Sequence, residues 1–449
     1  MGLMRWLFGL FGFGSASPSP ELDHAPSRTK EAPRSGGERQ NKSSSPAREA
    51  SHRKRKARRR AILTTTRRRL AKARERRSDS YTETPEDKAY LYARWGSQTG
   101  HYLDLSRDAD LQKLSQRGLP VFHTPEQLAD WAGIPLNRLA WLIHRFSEGR
   151  PGSVQEAHYH FRWLKKRSAG WRLIESPKST LKSLQHKILR EILDRVSVHP
   201  TAHGFAAGRS ILTNAQPHAG QDVLLKFDLS NFYATVCFAR VVAIFRRLGY
   251  SREAAIWLAS LTTSCVPYNL GFQEQGPYAL SVYLSRHLPQ GAPTSPALAN
   301  LSAFGLDVRL SGLANSFGAN YTRYADDLTF SGSSEFGHGL RTFIPLTQKI
   351  IRQEWFNLNY AKRKILRAHQ RQVVTGVVVN DKPNINRREF DLLKAILTNC
   401  QRHGPSTQNR HDIADFYHHL QGRIAHVSML NLDRGQRLTE LFARIDWSK

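Results

Sequence analysis

Three aspartates are the residues best suited to chemistry in this sequence. Asp326 and Asp327 are adjacent, and strand-type residues alternate on both sides of them, which predicts a β-hairpin with both carboxylates at or near its turn. Adjacent carboxylates repel each other, and a divalent cation held by oxygen ligands relieves that repulsion. Acidic pairs at turns are usually only solvated, so this pair alone leaves a metal site and a polar turn as alternatives.

The third carboxylate, Asp228, follows a largely apolar run over residues 223–227. Such a run predicts a buried strand, after which Ser230 or Asn231 could cap a helix. An acid at the end of a buried strand needs a partner, because an unpaired buried charge is costly. Asp228 is therefore either part of a helix cap or the third carboxylate of a site for two ions.

A basic segment could bind phosphate groups near these acids. Residues 158–174 predict a β-hairpin that displays Lys165, Lys166, Arg167 and Arg172. Lysine binds phosphate through its charge, and arginine can bind it through two hydrogen bonds. A solvated hairpin without a ligand is the alternative.

Four further positions could contact a bound ligand. The loop over residues 288–296 is rich in proline and glycine. Within it, Gly291 allows a backbone to approach a ligand closely, and Gln290 can donate and accept hydrogen bonds. Either Phe232 or Tyr233 could pack against a nucleotide sugar, and Lys362 could face phosphates. The alternatives are a helix-entry loop, a core aromatic residue and a surface lysine.

The surrounding pattern predicts the elements that must position these residues. Helices are expected within residues 86–148 and 384–449, and a strand is expected over residues 372–380. Residues 124–143 have the spacing of a helix-turn-helix, but a helical pair packed on the next domain is the preferred interpretation.

The net charge indicates a polyanionic partner. The chain has 449 residues, with 67 Lys and Arg against 37 Asp and Glu, a net charge of +30. Such an excess favours nucleic acid over an anionic membrane. Residues 51–77 alone contain fourteen basic residues and one acidic residue. This run is either an arm that orders on nucleic acid or a solvated arm or targeting signal.

The ends and the cysteines narrow the class further. Residues 1–14 are apolar but far shorter than the ~20 residues of a membrane span, so a partner contact is preferred over membrane contact. Residues 15–50 have the composition of a disordered segment. The three cysteines are far apart, which excludes a disulfide framework and a cysteine-based zinc site and favours a reducing compartment, the cytoplasm.

The order of these motifs resembles the fingers and palm of reverse transcriptases over about residues 155–382. The basic hairpin, the strand ending in Asp, the Pro-Gln-Gly loop, the Tyr-Ala-Asp-Asp hairpin and the lysine follow one another as in that family. Two motifs resemble those of bacterial retron reverse transcriptases: N-A-x-x-H, from Asn214 to His218, and V-T-G, which contains Thr375 and Gly376. The basic N-terminal extension is similar to that of myxobacterial-type members.

The resemblance implies a role for each candidate residue. Asp228 and Asp326 would hold two catalytic Mg²⁺ ions, and Asp327 would support the site. Tyr233 would screen out a ribose 2′-OH. The residues expected to bind the incoming dNTP are Arg172, Tyr233, Gln290, Gly291 and Lys362. The residues expected to contact RNA or the primer are Asn214, His218, Thr375 and Gly376.

The resemblance also implies a fold and a domain order. The expected fold is α+β, a right-hand polymerase of fingers, palm and thumb with an antiparallel palm sheet. The expected order is a disordered basic extension (1–85), a helical region (86–150), fingers and palm (151–382) and a helical RNA-binding thumb (383–449).

The implied activity is that of an RNA-directed DNA polymerase. It would copy part of its own retron RNA from a guanosine 2′-OH primer into a branched RNA–DNA product, msDNA, in anti-phage defence beside a separate effector protein. The alternatives are another defence-type or group II intron-like reverse transcriptase, and a non-catalytic RNA-binding scaffold.

Overall fold

The computed structural model describes residues 108–147, 151–166, 170–267, 269–271 and 281–448. The predictions for the apolar start, the disordered segment and the basic arm lie outside these residues. In chain order the elements are α1 (Leu111–Gln116), α2 (Pro125–Ala132), α3 (Leu136–Ser147), β1 (Tyr159–Lys165), β2 (Trp171–Pro177), α4 (Ser179–Glu191), α5 (Ile211–Ala215), β3 (Val223–Ser230), α6 (Phe238–Leu248), α7 (Arg252–Thr262), α8 (Ser281–Leu284), α9 (Ser295–Ser302), α10 (Phe304–Ser316), β4 (Asn320–Tyr324), β5 (Asp327–Gly332), α11 (Ser334–Gln353), β6 (Asn357–Leu358), β7 (Lys364–Arg367), β8 (Val373–Val374), β9 (Val377–Val378), α12 (Arg387–His403), α13 (Phe416–Leu430) and α14 (Leu432–Ala443).

An antiparallel sheet of five strands forms the centre of the fold. β3 lies in the middle, pairs with β5 on one side and with β7 and β6 on the other, and β4 pairs with the outer edge of β5. Nearly every side chain of β3 is buried, as expected for an apolar central strand covered on both faces. The order and register bring Asp228 directly opposite Asp327.

The predicted helix cap after β3 is wrong. The strand continues through Ser230, because Leu229 and Ser230 pair with β6. Asn231 then adopts a left-handed backbone conformation, and the next helix begins only at Phe238. Asp228 is therefore a residue of the strand itself, and it does not belong to a helix terminus.

The basic hairpin and the helices before it match the sequence prediction. β1 and β2 pair along their whole length, from Tyr159 opposite Pro177 to Lys165 opposite Trp171. In the helices α2 and α3, Leu128 and Leu139 are fully buried in the same core that lies against the palm sheet. This packing confirms the expected interpretation, in which the helical pair packs on the part of the chain that follows it.

The C-terminal part differs from the prediction at one point. Residues 372–380 form a tight hairpin of β8 and β9 where a single strand was expected, because Thr375 and Gly376 take left-handed backbone conformations with φ of 46° and 87°. The predicted helices follow as α12, α13 and α14, which bury Leu397, Leu420 and Leu438 in a second core. Among the described residues, no helix is long and apolar enough to cross a membrane.

Candidate active site

The carboxylates lie at the tip of the β4–β5 hairpin, as the sequence predicts. Tyr324 pairs with Asp327, so Ala325 and Asp326 form a two-residue turn, and Ala325 has a left-handed φ of 55°. The backbone N–H of Leu229 donates to the carbonyl of Asp326 at 2.9 Å. This bond and the strand register bring Asp326 and Asp327 beside Asp228 on the central strand.

A glycine permits the close approach of another loop to this turn. A Cβ atom at position 204 would lie 2.6 Å from the backbone nitrogen of Ala325, closer than real side chains approach. The Asn300 amide donates to the carbonyl of Gly204 at 2.8 Å and holds the loop there. Gly204 therefore supports the shape of the acidic turn, a role that the sequence analysis did not assign.

The hairpin tip holds negative charge that the protein only partly offsets. Burial raises the pKa of Asp326, and the neighbouring charges of Asp327 and Asp228 raise it further. Burial and the charge of Asp228 likewise raise the pKa of Asp327, against the opposing effect of Lys226. Lys362 donates to Oδ2 of Asp228 at 2.8 Å. The tip thus has the electrostatic character of a cation site.

The donor atoms fit a hard divalent cation, although the described residues contain no group of three or more His, Cys, Asp or Glu already assembled around an ion position. Carboxylate oxygens are the ligands that Mg²⁺ prefers. The ammonium of Lys362 on Asp228 marks a position where positive charge is favourable. The carboxylates of Asp228, Asp326 and Asp327 are the residues that would hold metal ions here.

Basic residues of the fingers hairpin lie near the acidic tip. Burial lowers the pKa of Lys166, and the positive charges of Arg172 and Lys362 lower it further while Asp228 opposes them. These interactions place Lys166 and Arg172 near Lys362 and the central carboxylate. The sequence predicts Lys166 only as one basic residue of the hairpin; its position next to the turn, with its N–H bonded to the carbonyl of Gly170, singles it out.

Charges of both the acidic tip and the basic hairpin act on Tyr233. Its ring is partly buried against the main core. Burial and the nearby charge of Asp326 raise the pKa of Tyr233 to about 12, with Arg172 opposing. The phenol is therefore neutral at physiological pH and adjoins the space between the carboxylates and Arg172.

The Pro-Gln-Gly loop lies along strand β2. The carbonyl of Gln290 accepts a hydrogen bond from the N–H of Glu175 at 2.9 Å. Gly291 has a φ of 133°, and a Cβ atom there would lie 3.0 Å from the carbonyl oxygen of Glu175 and 3.3 Å from Ile174. The glycine therefore lets the loop pack against the strand that carries Arg172.

The N-A-x-x-H and V-T-G motifs meet behind the acidic hairpin. His218 is fully buried, with Nδ1 2.7 Å from Oγ of Ser331 and Nε2 2.8 Å from Oγ1 of Thr322, and burial lowers its pKa to about 3. The buried Asn214 amide donates to Oγ1 of Thr375 at 3.4 Å, and Gly376 is exposed. The two motifs thus contact each other, and His218 of the first contacts the hairpin. Their predicted contact with RNA stays a prediction.

A buried ion pair beneath the acidic turn was missed by the sequence analysis. Arg323 donates to Asp307 at 2.6 and 2.8 Å, to the side chain of Asn300 at 2.9 Å and to the carbonyl of Ala325 at 3.1 Å. The Tyr321 hydroxyl also donates to Asp307, at 2.8 Å. An arginine at an inward-facing position of a buried strand was the available signal.

A basic cavity lies where the β8–β9 hairpin meets the C-terminal helices. It has a volume of about 520 Å³, and the charged residues among its lining are Arg371, Arg387, Arg388, Asp391 and Arg434. Arg434 is held in place, because it donates to Asn384 at 3.1 Å and stacks over the ring of Phe390 at 4.8 Å. The excess of positive charge makes the cavity suitable for phosphate groups.

Comparisons with known proteins agree with this geometry. A family model described as reverse transcriptase (RNA-dependent DNA polymerase) matches residues 164–393. Retron Mx65 reverse transcriptase of Myxococcus xanthus is 38% identical over 336 residues, 73% of this chain and 73% of that protein. Retron Mx162 reverse transcriptase of the same organism is 35% identical over 350 residues, 74% of this chain and 69% of that protein. Retron Ec86 reverse transcriptase of Escherichia coli is 32% identical over 289 residues, 63% of this chain and 80% of that protein.

The site and the fold therefore define an RNA-directed DNA polymerase. The chain belongs to the reverse transcriptases of bacterial retrons. The resemblance to this family and to its α+β right-hand fold is confirmed. Reverse transcriptases generally use divalent metal ions, which agrees with the oxygen donors at the hairpin tip.

Proposed function

We propose that this enzyme copies part of a dedicated retron RNA into a branched single-stranded DNA, msDNA, starting from a guanosine 2′-OH of that RNA. The observation that carries the proposal is the acidic tip, where Asp326 and Asp327 stand opposite Asp228 beside basic residues of the fingers. The N-A-x-x-H segment, which packs on the same hairpin, and the V-T-G turn, which adjoins that segment, support the retron assignment.

The reaction forms one phosphodiester bond and releases pyrophosphate. The primer hydroxyl attacks the α-phosphorus of a dNTP, loses its proton, and displaces pyrophosphate from that phosphorus. Asp228 and Asp326 would hold two Mg²⁺ ions, which would supply positive charge to the attacking and the leaving oxygen. Asp228 and Asp326 hold that positive charge at the tip, and Asp327 on the adjoining strand supports them.

The chain's own residues position the nucleotide. Arg172 and Lys362, whose charges both act on Lys166, bind the triphosphate. Tyr233 packs against the sugar and excludes a 2′-OH, and its neutral phenol adds no charge to the acidic site. Gln290 and Gly291 line the nucleotide and template side, next to β2.

Residues outside the acidic tip hold the structured part of the RNA partner. The V-T-G turn offers the exposed Gly376 and adjoins Asn214 through Thr375. His218 acts from behind the hairpin, through Thr322 and Ser331. The basic cavity and the helices α12–α14 serve as an RNA-binding thumb. We assign the branched product to anti-phage defence in the cytoplasm beside a separate effector protein.

The nucleic acid that co-purifies with the full-length chain tests this proposal. The protein is expressed together with the genomic sequence that flanks its gene, and the bound nucleic acid is treated with ribonuclease and with a 2′–5′ debranching enzyme. A DNA that is joined to RNA through a guanosine 2′–5′ linkage supports the proposal, and the preparation of Asp326→Asn lacks it. Linear DNA alone, or branched DNA that persists in Asp326→Asn, contradicts it.

A further inference from the structure

A buried ion pair joins the fingers to the nucleotide loop. Nε2 of His287 lies 2.8 Å from Oε2 of Glu175, and both side chains are completely buried. Glu175 belongs to β2, whereas His287 precedes the Pro-Gln-Gly loop by one residue, so the pair connects parts of the chain that are 112 residues apart.

The hydrogen bonds of the His287 imidazole place a proton on Nδ1. Nδ1 of His287 lies 2.7 Å from the carbonyl oxygen of Ser285, an atom that can only accept, so Nδ1 carries a proton. Nε2 faces a carboxylate oxygen and is also a donor when Glu175 is ionised. Burial lowers the pKa of His287, but the charge and hydrogen bond of Glu175 outweigh burial and raise it overall. The direction of this shift favours an imidazole that donates from both ring nitrogens, one of them to Glu175.

Both partners are anchored in the backbone that shapes the nucleotide pocket. His287 exchanges two backbone hydrogen bonds of 2.9 Å with Ser264, so its main chain is fixed. The N–H of Glu175 donates to Gln290, and its carbonyl limits the space at Gly291 to that of a glycine. Arg172 lies three residues before Glu175 on the same strand. The ion pair thus connects strand β2, which carries Arg172, to the loop that carries Gln290.

We propose that Glu175 and His287 are a positioning pair that fixes the distance between Arg172 and the Gln290–Gly291 loop, and thereby sets the affinity of the enzyme for the incoming dNTP. The inference rests on the proposed roles of Arg172 and Gln290 in nucleotide binding. A small displacement of groups that hold a substrate weakens binding strongly. Loss of the pair therefore weakens dNTP binding more than it slows the chemical step.

Single-turnover incorporation, measured over a range of dNTP concentrations, separates the two quantities. For His287→Leu we expect the apparent dissociation constant for dNTP to rise on the order of tenfold, with the maximal rate within about threefold of wild type. Glu175→Gln retains a hydrogen bond to a neutral imidazole, so its dissociation constant should stay within about threefold of wild type.

Two further variants keep the test decisive if His287→Leu does not fold. The double variant Glu175→Leu with His287→Leu removes both buried charges, which restores stability in many proteins, yet it should still bind dNTP about tenfold more weakly. Tyr159→Phe removes a buried hydrogen bond of 2.9 Å to Gln185 in the same region without touching the loop, and should leave the dissociation constant unchanged.

The outcomes separate this inference from the proposed function. Tenfold weaker dNTP binding in the double variant, with Glu175→Gln near wild type, supports the positioning role. An unchanged dissociation constant in the double variant, or an equal rise in Tyr159→Phe, overturns it and leaves the pair structural. A wild-type enzyme that incorporates no dNTP overturns the proposed function instead.

Discussion

The acidic tip of the β4–β5 hairpin and the buried ion pair beneath its turn treat charge in opposite ways. At the tip, Asp326 and Asp327 adjoin Asp228, and burial together with like charge raises the pKa of the first two. Behind the turn, Arg323 and Asp307 are fully buried and bonded to each other at 2.6 Å. The acidic tip is left short of positive charge, whereas Arg323 and Asp307 satisfy each other's charge within the protein.

This difference separates the proposed catalytic groups from the groups that support them. A carboxylate that lacks an internal partner can exchange its neighbours for metal ions and substrate, whereas a buried ion pair is fixed in one arrangement. Lys362 stands between the two cases, since it pairs with Asp228 while its side chain is half exposed. Substitutions at the acidic tip should therefore affect mainly activity, and substitutions in the buried ion pair should affect mainly stability.

The largest change in stability should come from the buried ion pair of Arg323 and Asp307. Arg323→Met leaves Asp307 without its charged partner, and we expect the free energy of unfolding to fall by about 3–5 kcal/mol. Arg309→Met is the matched control, because Arg309 pairs with Glu354 at the surface and its loss should cost no more than about 1 kcal/mol. Chemical denaturation measures both. Equal losses of unfolding free energy in the two variants would remove the contrast between the buried ion pair and the acidic tip.

The next effect concerns the lysine beside the tip. Lys362→Met removes a charge that contacts Asp228 and that we propose binds the triphosphate, so incorporation should fall roughly tenfold to a hundredfold. The free energy of unfolding should change by less than about 1 kcal/mol, because the side chain is half exposed. Lys364→Met, on the adjacent strand, should retain activity. Primer extension and denaturation on the same preparations decide whether Lys362 acts in catalysis or only in folding.

The stability of the protein should depend on pH through His218, which is buried behind the acidic hairpin. Burial lowers the pKa of His218 to about 3, so the native chain excludes a proton that the unfolded chain accepts near the ordinary value of about 6.5. Stability from this residue is present above pH 6.5 and is lost as the pH falls toward 3. His218→Gln should therefore flatten the decline in unfolding free energy between pH 6.5 and 4.5, while the exposed His160→Gln should not. Parallel declines in wild type and His218→Gln would contradict a neutral buried imidazole.

The smallest effect lies outside the hairpin. Removing Arg371 and Arg434 together from the basic cavity should weaken binding of the cognate RNA and lower the slope of log affinity against log salt by about 0.7–0.9 for each lost phosphate contact. Arg252→Gln, at an exposed site on α7, should leave the slope unchanged. Filter binding at several salt concentrations measures it. An unaltered slope in the double variant would mean that the cavity does not contact RNA phosphates.

The sequence predicts the acidic tip well because its signals are local. Strand alternation around Asp326 and Asp327 determines the hairpin, and the apolar run before Asp228 determines the central strand. The family resemblance then orders these elements.

Features that depend on tertiary packing were less accessible. The pairing of Ser230 with β6 extended a strand where a helix cap was expected. The buried pairs of Arg323 and His287 join residues far apart in the chain, and the spacing of neither residue carries a signal of its partner.

The most direct test of the acidic tip is the incorporation of dNTP onto a primed RNA template by wild type and Asp326→Asn, with the unfolding curve of each recorded on the same preparation. We expect wild type to extend the primer with Mg²⁺ and to stop when the ion is chelated. We expect Asp326→Asn to lose on the order of 10³-fold in rate while its free energy of unfolding is unchanged or higher, because like-charge repulsion is relieved. Incorporation by Asp326→Asn at the wild-type rate would contradict the assignment of the tip as the catalytic site.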